Sequence, residues 1–154
     1  LRQTEKKETM DPNQPVSTIM TRNLITVTPE TSLSEIKELF DAHPFHHLPV
    51  VENGKRLAGI LSKEDFLRAS YMLSLNTTGK AWSHMEYAAL KARDIMTRYP
   101  VSLEPDDTIG LAADIFLANK FHALPILDDG EIVGIVTSHD LIRFAFSSPV
   151  ETTP

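Results

Sequence analysis

At 154 residues, 42% hydrophobic and 23% charged, the chain has the balance of a globular protein and the length for one compact domain or two small halves sharing a core. It has no cysteine, which excludes disulfides, thiolate catalysis and every cysteine-containing zinc site. Its net charge of −6, without a lysine or arginine cluster, argues against nucleic acid as a partner.

Residues 1–15 read as a polar tail of mixed charge, lacking the apolar stretch of a signal peptide. Leu1 stands where a start methionine would, and Met10 is a candidate native start. No apolar run approaches the roughly 20 residues that span a bilayer, so the expectation is a cytoplasmic chain with no membrane role. Ile19-Met20-Thr21-Arg22 follows, then the short β-rich run Leu24-Ile25-Thr26-Val27, read as a strand closed by Thr28-Pro29. Ser32 with Glu35 has capping-box spacing, and Leu33, Ile36, Leu39 and Phe40 keep helical periodicity to about Ala42. Leu48 to Val51 reads as a strand, Asn53-Gly54 as a turn, and Leu57 to Leu61 as a second strand. Ser62 opens a helix through Phe66, Leu67 and Leu73.

The chain then repeats itself. Ile95-Met96-Thr97-Arg98 restates Ile19-Met20-Thr21-Arg22, and Pro105, Phe116, Phe121-His122 and Leu124-Pro125 restate Pro29, Phe40, Phe45-His46 and Leu48-Pro49 at the same offset. After a one-residue deletion, Gly134-Ile135, Asp140 and Arg143 match Gly59-Ile60, Asp65 and Arg68. Each copy reads strand, helix, strand, strand, helix. The second uses Val101 to Leu103, Ile109 to Ala118, Leu124 to Leu127, Ile132 to Val136 and Ser138 to Phe146.

The fold expected is therefore α/β (α+β): two β-α-β-β-α repeats packed sheet to sheet with pseudo-two-fold symmetry, since one such unit can hardly bury a core alone. The domain reading is a tail at 1–15, repeat 1 at 16–73, a connecting segment at 74–93, repeat 2 at 94–146 and a tail at 147–154. Trp82, Met85, Tyr87, Ala88 and Leu90 give the connecting segment a helix after the break at Asn76-Thr77-Thr78-Gly79.

In order, Ile-Met-Thr, a β-run ending before proline, His-x-Leu-Pro-hydrophobic and Gly-Ile-hydrophobic-[Ser/Thr]-x-x-Asp resemble the CBS domain. Two copies in tandem, over about Val16 to Phe146, resemble a CBS pair, or Bateman module. The resemblance implies a disc-like pair with two clefts between the repeats. It also implies an adenine ligand (AMP, ADP, ATP or S-adenosylmethionine), assembly as a homodimer and a regulated protein partner.

Several residues carry both a structural and a binding reading. Thr137 with Asp140, and Ser62 with Asp65, have helix-capping spacing. The resemblance adds that the carboxylate accepts from ribose hydroxyls while the hydroxyl lies near ribose or phosphate, and an ionised Asp is an acceptor only. His46 and His122 read as loop histidines, or, by resemblance, as phosphate contacts with pH-sensitive binding. Ile25-Thr26 and Val101-Ser102 read as buried strand, or as backbone facing the adenine edge. Phe45 and Phe121 read as core, or as the apolar surface against the base. Thr21 and Thr97 read as turn hydroxyls, or as neighbours of phosphate.

The resemblance implies clefts that mix the repeats, one grouping Thr137, His139, Asp140 and His122 with Thr21, Ile25, Thr26 and Phe45. The other would group Ser62, Glu64, Asp65 and His46 with Thr97, Val101, Ser102 and Phe121. Glu64 replaces His139, and a carboxylate beside phosphate is unfavourable, partly offset by Lys63, so the Asp140 cleft is expected to bind more tightly. Leu75 to Lys80 lacks the spacing of a phosphate loop, and His43, His46 and His47 lack a carboxylate at metal-ligand spacing. No nucleophile, base and orienting group converge, so the chain reads as a sensor and not an enzyme. The alternative is a ligand-independent dimerising scaffold that binds another protein.

Overall fold

The computed structural model describes residues 11–76 and 89–147. Trp82, Met85, Tyr87 and Ala88 of the expected connecting helix lie outside the described residues, as do residues 1–10 and 148–154 of the two tails. The fold is mixed α/β with antiparallel hairpins, as the periodicity predicts. Two compact units form, and neither is a contiguous repeat. Of the described residues, the first holds 23–76 and 89–101 with 129–132; the second joins 11–22 to 102–128 and 133–147.

In the first unit, the Ser32 hydroxyl accepts from the Glu35 N–H at 3.3 Å and starts α1 (Leu33–Ala42). Leu33, Ile36 and Phe40 recur at helical spacing and bury one face in the core. β1 (His47–Glu52) and β2 (Arg56–Ser62) form a hairpin whose turn residues, Asn53 and Gly54, have φ of 48° and 91°. Two left-handed residues suit the twist of flanking strands, and Asn and Gly adopt that conformation most cheaply. α2 (Lys63–Asn76) brings Phe66 into the core. The unit is completed by Leu90, α3 (Ala92–Ile95) and β3 (Thr97–Arg98), which pairs with β2 at Ile60 and Gly59. Residues 129–132 also belong here, with Glu131 paired to Arg56 and the Ile132 N–H donating to the Lys55 carbonyl at 2.9 Å.

The second unit repeats this plan with α4 (Ile109–Ala118), β4 (Ala123–Asp128), β5 (Glu131–Thr137) and α5 (Ser138–Ala145). Its completing segment comes from the start of the chain, where Val16 and Met20 are buried against Leu103, Leu124 and Val136. The two lead-in segments dock by matching bonds. Ala92 and Arg93 donate to the Thr31 and Pro29 carbonyls at 2.8 and 3.1 Å, as Val16 and Ser17 donate to those of Asp107 and Pro105 at 2.7 and 3.2 Å. Each repeat's lead-in thus closes the core of the other repeat.

Glycines make this docking sterically possible. A Cβ on Gly59 would lie 2.6 Å from the Thr97 carbonyl oxygen and 2.8 Å from Met96 Sδ; on Gly134 it would lie 2.5 Å from Met20 Sδ. The Ile-Met-Thr and Gly-Ile motifs are therefore two sides of one contact.

The expected first strand of each repeat is corrected to a single bridge. Val27 donates to the Pro49 carbonyl (3.0 Å) and accepts from Val51 (2.8 Å); Leu103 does the same with Pro125 (3.0 Å) and Leu127 (2.8 Å). In a parallel ladder the next rungs need N–H donors at 49 and 29, and at 125 and 105. All four residues are proline, which has no N–H, so pairing stops after one rung.

Glu30 ties the lead-in to the entry of α1, accepting from Lys91 Nζ and Arg93 Nη1, each at 2.7 Å. The Lys91 hydrogen bond foremost, then the Arg93 and Lys91 charges, lower its pKa below the ordinary value. A depressed carboxylate stabilises the fold above its unfolded-state pKa, and that contribution is lost as pH falls through the folded-state value. The stability difference between wild type and Glu30→Gln should accordingly be present at neutral pH and vanish on acidification, measured by urea unfolding across pH. The same measurement at pH 7 should show Gly59→Ala destabilising by about 1–3 kcal/mol. Gly134→Ala should cost less, because its obstacle is a flexible Met side chain and not a carbonyl.

Candidate functional site

The start of α5 gathers several of the residues singled out in sequence. Thr137 Oγ1 accepts from the Asp140 N–H at 3.2 Å, and Asp140 Oδ2 accepts from the Thr137 N–H at 2.9 Å. The His122 carbonyl accepts from the Ser138 N–H at 3.0 Å, which holds the histidine beside the first helical turn. Thr21 pairs with Ile135, two residues before the cap, through bonds of 2.9 and 3.0 Å. His122, His139 and Thr21 are exposed, and Asp140 is buried. This end therefore presents two imidazoles, a hydroxyl, an acceptor-only carboxylate and the positive pole of a helix.

The start of α2 repeats the geometry. Ser62 Oγ accepts from the Asp65 N–H at 2.9 Å, Asp65 Oδ2 accepts from the Ser62 N–H at 3.1 Å, and the His46 carbonyl accepts from the Lys63 N–H at 2.7 Å. Thr97 pairs with Ile60, again two residues before the cap. The copies differ in charge and burial. Asp65 has 28% of its side chain exposed against 9% for Asp140. Arg68 stands 3.6 Å from Asp65 Oδ1 and 3.7 Å from Glu64, whereas Arg143 is 3.9 Å from Asp140 Oδ1. The Asp140 end thus has cationic or neutral groups where the Asp65 end has Glu64.

The remaining residues fall differently. Phe45 and Phe121 are half-buried at the core margins, Phe45 packing on Phe40 at 6.0 Å and stacking on His43 at 5.0 Å, and Phe121 packing on Phe116 at 6.4 Å. Ile25, Thr26, Val101 and Ser102 are exposed, so the buried-strand reading of these four is corrected: the chain there is not covered by a further strand. Of the residues grouped with Asp140, Thr21, His122, Thr137 and His139 belong to its unit, while Ile25, Thr26 and Phe45 belong to the other. Thr97, His46, Ser62, Glu64 and Val101 share the unit of Asp65; Ser102 and Phe121 do not.

Sequence reading missed two cavities. One of about 520 Å³ in the first unit is lined by Glu30, Glu52, Arg93, Arg98 and Tyr99 among others. An apolar one of about 430 Å³ in the second unit lies between α4 and α5. Neither is lined by the residues above, and their walls come from separate elements that leave no local motif. Among the described residues no three His, Asp or Glu side chains gather as metal ligands, and no helix is long and apolar enough to cross a membrane.

A model of the CBS domain matches residues 16–71 and again 92–147. Inosine-5'-monophosphate dehydrogenase of Korarchaeum cryptofilum is 32% identical over 121 residues, which are 78% of this chain; the chain spans 22% of that enzyme's length. Among solved structures, CBSX2 of Arabidopsis thaliana in complex with AMP has a TM-score of 0.73 and 28% identity, covering 87% of this chain and 97% of that one. The CBS domain pair of protein MJ0100, in complex with 5-methylthioadenosine and S-adenosyl-L-methionine, has a TM-score of 0.70 and 27% identity, covering 86% and 95%.

The capping geometry predicts unequal costs at the two carboxylates. Asp140→Ala strips the half-buried Thr137 N–H of its acceptor and should destabilise by about 1–2 kcal/mol. Asp65→Ala, at a wetter position, should cost about half as much. Denaturant midpoints for the two variants decide it.

Proposed function

The chain belongs to the CBS domain family, with two tandem copies, and on that premise we propose that it is a non-catalytic regulatory module that binds an adenine nucleotide. The observation that carries the reading is the duplicated cluster of carboxylate, capping hydroxyl, histidine and Ile-Met-Thr threonine at the starts of α2 and α5. Relatives of the same fold support it, one solved with AMP and one with 5-methylthioadenosine and S-adenosylmethionine.

In this reading Asp140 accepts from the ribose diol through Oδ1 and the second lone pair of Oδ2, since capping engages only one of its acceptor sites. His122, His139 and the N-terminus of α5 receive the phosphate, with Thr137 and Thr21 beside them. Backbone groups of Ile25-Thr26 read the adenine edge, and Phe45 lies against the base. The second cleft uses Asp65, Ser62 and His46 with Thr97, Val101, Ser102 and Phe121. Its Glu64 disfavours phosphate, so a phosphorylated ligand prefers the Asp140 cleft. Ligand shifts a regulated protein only by its differential affinity for two arrangements of the module. A second reading, a scaffold needing no ligand, draws on Leu67 and Tyr71 of α2 and their counterparts Ile142 and Phe146, all exposed. Its stability would rise with protein concentration and not with nucleotide.

Thermal unfolding of nucleotide-free protein with AMP, ADP, ATP or S-adenosylmethionine tests the proposal. Ligand at a hundredfold its dissociation constant should add about 2.7 kcal/mol, a rise of several degrees. Asp140→Asn keeps a carbonyl acceptor for the cap and should remove most of the shift, while Asp65→Asn leaves it. No shift with any of the four refutes the sensor, and loss only with Asp65→Asn reverses the assignment of the clefts.

A further inference from the structure

The repeats act as controls for one another at the cavity of about 520 Å³ in the first unit. Val51, Leu57, Ala58 and Met96 give it an apolar wall, and four charged residues stand around it. Two of the four neutralise each other, since Glu30 accepts from Arg93 at 2.7 Å. The remaining two, Arg98 and Glu52, are exposed, and among the described residues neither side chain has a hydrogen bond or an ion pair. For the arginine, that freedom is particular to this copy. Its equivalent, Arg22, folds back and donates to the Ser17 carbonyl at 3.1 Å.

Tyr99 is unusual in a second way. It lines the same cavity, is 93% exposed and holds φ at 49°, a left-handed conformation that is strained for a bulky side chain. Its equivalent, Asn23, is of a type that tolerates this conformation better and yet does not adopt it. Neither the repeat fold nor core packing therefore accounts for a strained, exposed aromatic residue beside a cavity.

We propose that this cavity binds a zwitterionic aromatic amino acid. Arg98 receives the carboxylate, for which a planar guanidinium offers paired donors, and Glu52 accepts from the ammonium. The aromatic side chain of the ligand lies on Val51, Leu57 and Met96, beside the ring of Tyr99. A zwitterion uses both unspent charges and leaves the filled cavity neutral. A simple anion would be repelled by Glu52, and a simple amine by Arg98. Cavities of this size and mixed lining hold small molecules. All the lining residues lie between 28 and 99, so the site is complete within one unit. None belongs to the clusters at the starts of α2 and α5, so the proposal goes beyond the nucleotide reading and is independent of it.

Isothermal titration of L-phenylalanine into the full chain tests it. Saturable binding with a dissociation constant of about 1 mM or tighter is expected. Arg98→Gln and Glu52→Gln, both at exposed positions, should each weaken it about tenfold or more while moving the thermal unfolding midpoint by about a degree or less. 3-Phenylpropionate, which lacks the ammonium, should bind about tenfold more weakly than L-phenylalanine. Tyr99→Gly separates binding from folding. It removes the ring and relieves the backbone, so affinity should fall while the unfolding midpoint holds or rises. Asp65→Asn and Asp140→Asn should leave this binding intact, which keeps its outcome distinct from that of the nucleotide clefts. Absence of saturable binding with L-phenylalanine or L-tryptophan at about 10 mM overturns the proposal. So does binding that is indifferent to Arg98→Gln, or as tight for 3-phenylpropionate as for L-phenylalanine.

Discussion

A methionine lying flat on a glycine organises both the fold and the proposed site. Met96 covers Gly59 and Met20 covers Gly134, each at a distance that leaves no room for a Cβ. That contact brings the following threonine into register with Ile60 or Ile135, two residues before a helix cap. Thr97 and Thr21 therefore reach the starts of α2 and α5 because a side chain is missing from the middle of a strand. The position of a hydroxyl in the proposed site is fixed by steric economy one residue away along the strand, about 3.3 Å at the usual rise.

In the proposed function the cap carboxylates serve stability and recognition together. Asp140 holds the Thr137 N–H through one lone pair of Oδ2, a bond that also fixes the rotamer of the carboxylate. Its other acceptor sites are then presented without a further entropic cost of orientation, which is the advantage of preorganisation in binding. Asp65 makes the same bonds in wetter surroundings, with Glu64 and Arg68 beside it. Duplication followed by divergence at residue 64 or 139 has left two ends alike in backbone and unlike in charge.

How much of this was legible in the sequence depends on how local its causes are. α1 and α4 were readable from apolar spacing, α1 also from Ser32 at its cap, and the first hairpin from Asn53-Gly54. The capping boxes at Ser62 and Thr137 were visible as three-residue spacings. The first strands were misread because β propensity judges a run by its own residues. The donors it lacked belonged to Pro49 and Pro125, more than twenty residues onward in each repeat. Nor could spacing reveal that Glu30 pairs with Lys91 and Arg93, 61 and 63 residues away, or that each lead-in closes the other repeat's core. The repeats align from end to end, so the alignment carries no trace of the exchange. The grouping of side chains into proposed clefts rests on the resemblance to the family, and periodicity had nothing to say on it.

The exchanged lead-ins have a consequence for how such a chain holds together. Were each repeat a separate molecule, closing either core would need a collision between two chains, and stability would rise and fall with concentration. Joined in one polypeptide, the exchange becomes an intramolecular reaction at an effective concentration set by the connecting segment. The duplication therefore converts an obligate domain swap into a first-order fold. A chain built this way keeps its closed cores however dilute the protein becomes.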